Sequence, residues 1–428
     1  MTSPLRLGIA GLGTVGTGVV KIIQNHHDLV AGRAGRRIEI VAVSARNRSK
    51  KRGIDLSGYD WEDDPVALAE RSDIDLVVEL MGGSDGPAKA TTVAALSHGK
   101  DVVTANKAML AMHGQELAER AEAAGRALRF EAAVAGGIPV VKSLAEGLAG
   151  NRITRVMGVM NGTCNYILTR MEDAKLPYKK VFEEARKLGY LEADPSLDVG
   201  GIDAGHKLAL LTALAFGTRV DFSGVHIEGI EHITIEDITR AGDMGFRVKL
   251  LGVARMTGRG LEQRMTPCLV SKGSPLGRLE GATNMVVLEG DSVGQIVLRG
   301  PGAGEGPTAS AVMGDVVDIA RGLRVPVFGL PASALEQAPA AITATPAPYY
   351  LRLELLDKPG ALARIAAVLG DVGISIDRMR QYGHAEAVAP VLIVTHKTTR
   401  DALDVALSRF GATGVLAAEP VAIRIEAF

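Results

Sequence analysis

The sequence predicts an α/β chain of three domains: a Rossmann-type dinucleotide-binding domain, an α+β domain with a mixed sheet, and a ferredoxin-like C-terminal domain. Three patterns carry this expectation. A strand runs directly into G-x-G-x-x-G and a helix near the N-terminus. Short strand-like segments with helices between them follow through the middle of the chain. The last eighty residues then read βαββαβ.

Composition sets the bounds. A chain of 428 residues has room for roughly three domains. Hydrophobic residues make up 47% and charged residues 23%, the balance of an ordinary soluble protein. The formal net charge of -1 leaves no electrostatic footprint for nucleic acid or an anionic membrane. Cys164 and Cys268 offer no disulfide framework and suit a reducing, cytoplasmic setting. No signal peptide precedes the first strand, and the apolar runs are too short to span a bilayer.

Residues 6–10 (RLGIA) form the first expected strand, followed by Gly11-Leu12-Gly13-Thr14-Val15-Gly16 and an apolar helix over 17–23. Gly11 permits the tight turn, Gly13 lets the backbone approach a pyrophosphate, and Gly16 lets helix and strand lie close. The helix N-terminus offers unpaired N–H groups to the phosphates. The second strand, 38–43, ends without the Asp or Glu that would bond a ribose 2′-hydroxyl. Arg46, Arg48, Lys50 and Lys51 crowd that place instead. This favours NADP(H) over NAD(H), with Arg46 as the contact for a 2′-phosphate. Strands are expected at 75–81, 101–104 and 128–132, with a helix at 87–98. Lys107 follows the strand 101–104, at the edge of the sheet where ligands bind in open α/β folds.

The Gly-Gly-Ile-Pro turn at 136–139 closes the nucleotide domain, placed at 1–132. A second domain over 133–300 begins with a strand at 155–160 and a helix at 166–171, capped from Asn161-Gly162-Thr163-Cys164-Asn165. A helix at 182–188 leads to the stretch 192–208, EADPSLDVGGIDAGHKL. It gathers Glu192, Asp194, Asp198, Asp203, His206 and Lys207. Carboxylates of such a loop can hold a substrate ammonium group, and a lysine can bond an oxygen that gains or loses a proton. Asp203 and Lys207 are four apart on one helix face, acid before base. Strand-like segments at 224–230, 248–256, 267–270 and 284–288 suggest the mixed sheet. A second glycine-rich loop, 299–308, precedes a helix at 309–322, and a segment of about 301–330 returns to the nucleotide domain. Residues 331–348, rich in proline and alanine, read as a linker. Strands at 349–356, 373–380, 389–396 and 421–426, with helices at 361–371 and 399–410, complete the last domain, 349–428.

Taken together, GLGTVG, TANKAML, NGTCNYIL, LEADPSLDVGGIDAGHKL and GAGEGPTASAV make the whole chain resemble the bacterial homoserine dehydrogenases that carry a C-terminal ACT domain. The resemblance implies NAD(P)H-dependent, reversible reduction of L-aspartate 4-semialdehyde to L-homoserine, on the route to threonine and methionine. It implies Lys207 as catalytic acid/base, Glu192 and Asp203 as holders of the substrate, Asp198 in support, and Lys107 at the junction of cofactor and substrate. Cofactor contacts are implied from Gly11 to Gly16, from Ala105 and from Gly304. A structural sodium-like ion is implied on Glu131 and the carbonyls of Val134, Gly136 and Ile138. The ACT resemblance rests on LLDKPGALARIAAVLGDVGISIDRM. It implies pairing between subunits, as a homodimer or homotetramer, and an amino-acid effector such as threonine. Asp377 stands where many ACT domains carry Asn, which leaves the effector open. Two alternatives remain: another NADP-dependent dehydrogenase acting on an amino-acid-like carbonyl compound, and a regulatory protein sensing NADP(H) and an amino acid without turnover.

Overall fold

The computed structural model describes residues 3–191, 194–341, 344–382 and 387–428. Six parallel strands build the first sheet: β1 (Leu5–Ala10), β2 (Ile38–Ser44), β3 (Asp60–Glu62), β4 (Leu76–Glu79), β5 (Asp101–Thr104) and β6 (Leu128–Arg129). Their order is β3-β2-β1-β4-β5-β6, so the strand order reverses between β1 and β4. A ligand crevice belongs at the carboxyl ends of those strands. The strand expected over 128–132 stops at Arg129. The N–H of Glu131 turns away to the Asp315 carboxylate at 2.8 Å, and the chain coils into one tight turn.

A second sheet runs through the rest of the chain. Its strands are β7 (Ile153–Val159), β8 (His226–Ile227), β9 (Phe246–Thr257), β10 (Gly260–Ser271), β11 (Thr283–Gly290) and β12 (Gly294–Pro301), then β13 (Tyr349–Leu356), β14 (Ile376–Gln381), β15 (Val388–Thr395) and β16 (Val421–Ile425). The order is β12-β11-β7-β9-β10-β16-β13-β15-β14, with β8 beside β10. The parallel β10–β16 pair joins the ACT-like domain to the middle domain, Cys268 opposite Arg424 and Leu269 opposite Ile425. Arg264 ion-pairs with Glu426, the carbonyl of Ala427 accepts from Arg155 at 2.9 Å, and Phe428 packs against the apolar cluster around Leu251 and Val287. One face of the C-terminal sheet carries its own helices, Ala361–Asp371 and Arg400–Ala412. The other face lies on the helix Ile235–Asp243, where Arg352 meets Asp237 at 2.9 Å and Tyr382 donates to Asp243 at 2.5 Å.

Several expectations are corrected. The loop 299–308 begins as strand, because β12 reaches Pro301; at a sheet edge, with one face exposed and the other only half-buried, its end (Arg299-Gly300-Pro301) has no clear apolar alternation. The helix after it is Glu305–Ala320, not 309–322. Gly304, at φ 121, provides the sharp entry, and Pro307 sits in the first turn, where its missing N–H leaves no bond unmade. The segment 331–348 is not a free linker. Leu261 N–H donates to the Pro339 carbonyl at 2.8 Å, Ala341 N–H to the Leu261 carbonyl at 2.9 Å, and Leu335 is buried. Proline lacks a donor but keeps its acceptor, so its composition does not forbid such docking. The strand expected over 224–230 shrinks to His226–Ile227.

Candidate active site

The glycine turn behaves as its spacing requires. Gly11 has φ 110, and a Cβ there would lie 2.5 Å from the Leu80 carbonyl oxygen. A Cβ on Gly16 would strike the Gly11 oxygen at 2.0 Å, so the helix Thr14–Asn25 lies against the turn. Gly13 faces open space, where a phosphate can approach the helix N-terminus. On one side of this turn a hollow of about 530 Å³ is lined by Gly11, Gly13, Arg46, Lys50 and Arg52. Arg52 is spent on the loop itself, donating to the carbonyls of Leu12, Asn47 and Lys50. On the other side a cleft of about 1180 Å³ runs past Thr14, Val15 and Ala105 to Lys107, Asp203 and Lys207, with Gly136, Asp198 and Gly304 also on its walls. Gly16 lines neither space and acts through packing.

Asp203 and Lys207 project from the helix Ile202–Phe216, which starts after Gly201 at φ 82. The helix is buried nearly all round, so Lys207 is only 9% exposed and Asp203 7%. An ammonium group this far from water needs partners. Lys207 Nζ donates to Asp203 Oδ2 at 2.7 Å and to the Met160 carbonyl at 3.0 Å. The second oxygen, Asp203 Oδ1, lies 2.8 Å from Lys107 Nζ. One carboxylate thus bridges two lysines from different domains. Burial alone would raise the Asp203 carboxyl, but the ammonium groups of Lys207 and Lys107 outweigh it and hold it well below the usual carboxylate range. Asp198 is buried on the short helix Pro195–Val199, and Asn161 Nδ2 donates to its carboxylate at 3.1 Å. Asn161 also caps the helix Gly162–Ala174 through the Cys164 N–H at 2.8 Å. Glu192 lies outside the described residues.

Sequence reasoning missed the support behind Lys107. That lysine is the first residue of an unforeseen helix, Lys107–Ala123, whose cap is Asn106: its Oδ1 accepts from Met109 N–H at 3.0 Å. The Asn106 amide donates to the Gly83 carbonyl at 2.8 Å, and Asn106 N–H to Thr104 Oγ1 at 3.0 Å. Thr104 in turn donates to Glu79 at 2.5 Å, and Glu79 also accepts from Met81 N–H at 2.6 Å. Glu79 is fully buried, so the strand ends flanking the cleft are tied through one carboxyl group. An Asn before an unbroken run of helix formers was the available signal for this helix. Nothing in the strand VVEL marks Glu79 as buried.

Burial pushes Glu79 up to about 7, and the bonds from Thr104 and Met81 offset it only in part. A carboxyl that titrates higher in the folded chain than in the unfolded one gives its full stabilisation below the unfolded value and loses it as pH rises through 7. Wild type is therefore expected to lose stability relative to Glu79→Gln between about pH 4.5 and 7, by on the order of 3 kcal/mol at most. Thermal midpoints of the two proteins across that range check it, and parallel curves would refute it.

Around Glu131 the arrangement is acidic. Its carboxylate accepts the N–H groups of Val141 and Lys142 at 2.9 and 2.8 Å. Burial pushes it up to about 7, with the nearby Asp315 adding to the rise. Asp315 and Asp318 both pair with Lys142. The turn beside them carries two successive left-handed residues, Ala135 and Gly136, each at φ 55. Among the described residues no cluster of three or more His, Cys, Asp and Glu side chains is placed to hold a metal, so an ion here would rest largely on carbonyl oxygens. The acid excess and hard oxygen donors fit a small cation. Also among the described residues, no helix is long and apolar enough to cross a membrane.

A dinucleotide turn opening onto a buried lysine–carboxylate–lysine set defines a nicotinamide-dependent oxidoreductase. Comparison with known proteins gives the family. The homoserine dehydrogenase catalytic family matches residues 139–317, the NAD-binding domain of homoserine dehydrogenase residues 11–131, and the ACT domain residues 349–414. Homoserine dehydrogenase of Neisseria gonorrhoeae is 41% identical over 431 residues, covering 99% of each chain. The crystal structure of a homoserine dehydrogenase from Thiobacillus denitrificans superposes with a TM-score of 0.93 at 39% identity, over 99% of this chain and 98% of that one. A hyperthermophilic archaeal homoserine dehydrogenase mutant in complex with NADPH matches 75% of this chain and 99% of its own, with a TM-score of 0.64 at 26% identity. The chain belongs to the homoserine dehydrogenases, with an ACT domain at its C-terminus.

Proposed function

We propose that the chain reduces L-aspartate 4-semialdehyde to L-homoserine with Lys207 as the proton donor, NADPH as the preferred reductant and NADH as a possible second one. The observation that carries this reading is the Asp203 carboxylate holding Lys207 and Lys107 at one end of the cleft that begins at the glycine turn. When bound, the nicotinamide supplies the hydride. The protein must then supply a proton to the oxygen that becomes an alkoxide. Lys207 Nζ, steered by Asp203 and the Met160 carbonyl, delivers it, and takes it back when homoserine is oxidised. Lys107 bonds the substrate where it meets the cofactor. Asp203, Asp198 and Glu192 form the acidic side that receives the substrate ammonium group. Gly11, Gly13, Thr14 and Val15 hold the pyrophosphate, Gly16 keeps the helix close against the turn, and Ala105 and Gly304 close on the cofactor. A sensing protein without turnover has no use for a buried proton donor, and family membership speaks against it.

The basic hollow at Arg46 and Lys50 supports the NADP(H) preference. Arg46→Ala is expected to lower kcat/KM for NADPH roughly tenfold or more and to leave that for NADH nearly unchanged. An equal loss with both cofactors would remove Arg46 from the 2′-phosphate. The acid excess at Glu131 supports a structural sodium-like ion on that carboxylate and the carbonyls of Val134, Gly136 and Ile138. Its contribution is charge compensation, not chemistry. The remaining assignments are a nucleotide domain of 1–132 rejoined by 301–330, a substrate domain of 133–300 and a regulatory domain of 349–428. They also include a homodimer or homotetramer, threonine as effector and a cytoplasmic location, the last supported by two free, buried cysteines. Rates with NADPH and NADH, each with and without L-threonine, test the whole reading. Absence of NADPH oxidation with the semialdehyde would end it.

A further inference from the structure

We propose that a second cavity, between the substrate domain and the ACT domain, is a regulatory site for one small free amino acid. The proposal rests on reading the ACT domain as regulatory, and it places the ligand on a surface that both domains build. The cavity measures about 680 Å³, within the usual range for small-ligand sites. Glu228, His232 and Thr266 face it from the substrate domain, and Tyr349, Arg400 and Arg424 from the C-terminal domain.

The charges on the two walls are complementary to a zwitterion. Arg264 and Arg424, at the floor, are balanced by Glu262 and Glu426, and the buried Asp237 by Arg352. The half-exposed charges are Glu228, from the substrate domain, and Arg400, from the C-terminal domain, each with one ion-pair partner on its own wall. Glu228 lies 3.0 Å from His232 on one wall. Arg400 stands on the other, its Nε on Asp404 at 2.9 Å. Glu228 and Arg400 lie within each other's field. A guanidinium recognises a carboxylate and a carboxylate an ammonium group, so a free amino acid satisfies both walls. A simple anion would be opposed by Glu228, and a simple cation by Arg400.

The walls of this cavity also touch the catalytic helix. Side chains alternate along a strand. Glu228, Arg264 and Thr266 face the cavity, while the intervening Ile227 and Met265 face the opposite way, onto the start of Ile202–Phe216. A Cβ on Gly201 would lie 3.3 Å from Ile227 Cγ2 and 3.5 Å from Met265 Cγ, and one on Gly205 only 2.7 Å from Ile227 Cδ1. Packing this close passes any shift of the strands to Asp203 and Lys207, each two residues past one of these glycines. An amino acid drawing the two walls together therefore changes the catalytic set without entering the cleft.

The test uses the full-length enzyme, with L-threonine and then the other protein amino acids as probes, read by turnover and by titration calorimetry. In Glu228→Gln and in Arg400→Gln the concentration giving half the effect is expected to rise at least tenfold, with turnover in the absence of amino acid within twofold of wild type. Acetate and methylamine, each carrying one of the two charges, are expected to have no effect. A response equal to wild type in both variants would overturn the cavity site and leave an effector held within the ACT domain alone. If no amino acid binds wild type or alters its turnover, the cavity site and the regulatory reading of the ACT domain fall together. Because Glu228 and Arg400 come from different domains, loss of folding in one variant leaves the other to decide.

Discussion

Lys207→Ala is expected to lower kcat by roughly two to four orders of magnitude, the usual contribution of a positioned general acid. The proton has no equivalent donor. Lys107, the nearest other ammonium group, is held by the opposite oxygen of Asp203. NADPH binding should be preserved, because the glycine turn and the basic hollow lie in the other domain and do not touch Lys207. A fall in kcat matched by an equal fall in kcat/KM would mark an interaction made in the transition state. Fluorescence titration with NADPH and steady-state rates with the semialdehyde settle the matter. Near-normal turnover would remove Lys207 from proton transfer.

Asp203→Asn should damage both activity and stability. Asparagine keeps the shape but not the charge, so two ammonium groups are left converging on a neutral amide. Breaking a buried pair by removing one partner usually costs about 3–5 kcal/mol. Lys107 is 30% exposed at its side chain and can find water, so the lower end, about 3 kcal/mol, is expected here. Turnover should fall at least a hundredfold, because Lys207 loses the partner that aims it. Saturating substrate is not expected to restore the rate. Denaturant melts beside kinetics check the pair of effects. A variant with wild-type stability and only a raised KM would reduce Asp203 to a substrate contact.

The legible features were those in which a few residues enforce geometry. G-x-G-x-x-G before a helix, the four-residue step from Asp203 to Lys207 and the alternation of 349–356 each act through local sterics or spacing, and each stands as read. Lys107 was placed by topology alone, and the structure puts its Nζ 2.8 Å from Asp203. What could not be read was paired across long distances. Glu79 to Thr104, Met160 to Lys207 and Arg264 to Glu426 are contacts whose partners lie tens to more than a hundred residues away. Edge elements were lost for another reason. β3 is three residues long and β12 is a half-buried edge strand that ends in Arg-Gly-Pro, so neither shows the sustained apolar period that announces a strand. The proline-rich segment misled because composition reports stiffness and not docking.

The β10–β16 ladder has a consequence for how the molecule comes apart. A regulatory module hung on a tether would melt by itself and be released by one proteolytic cut, yet here the backbone amides of residues 425 and 426 are spoken for by Pro348 and Leu269. Hydrogen exchange in the terminal strand should consequently keep pace with that of β10, the two protected and released as one cooperative unit.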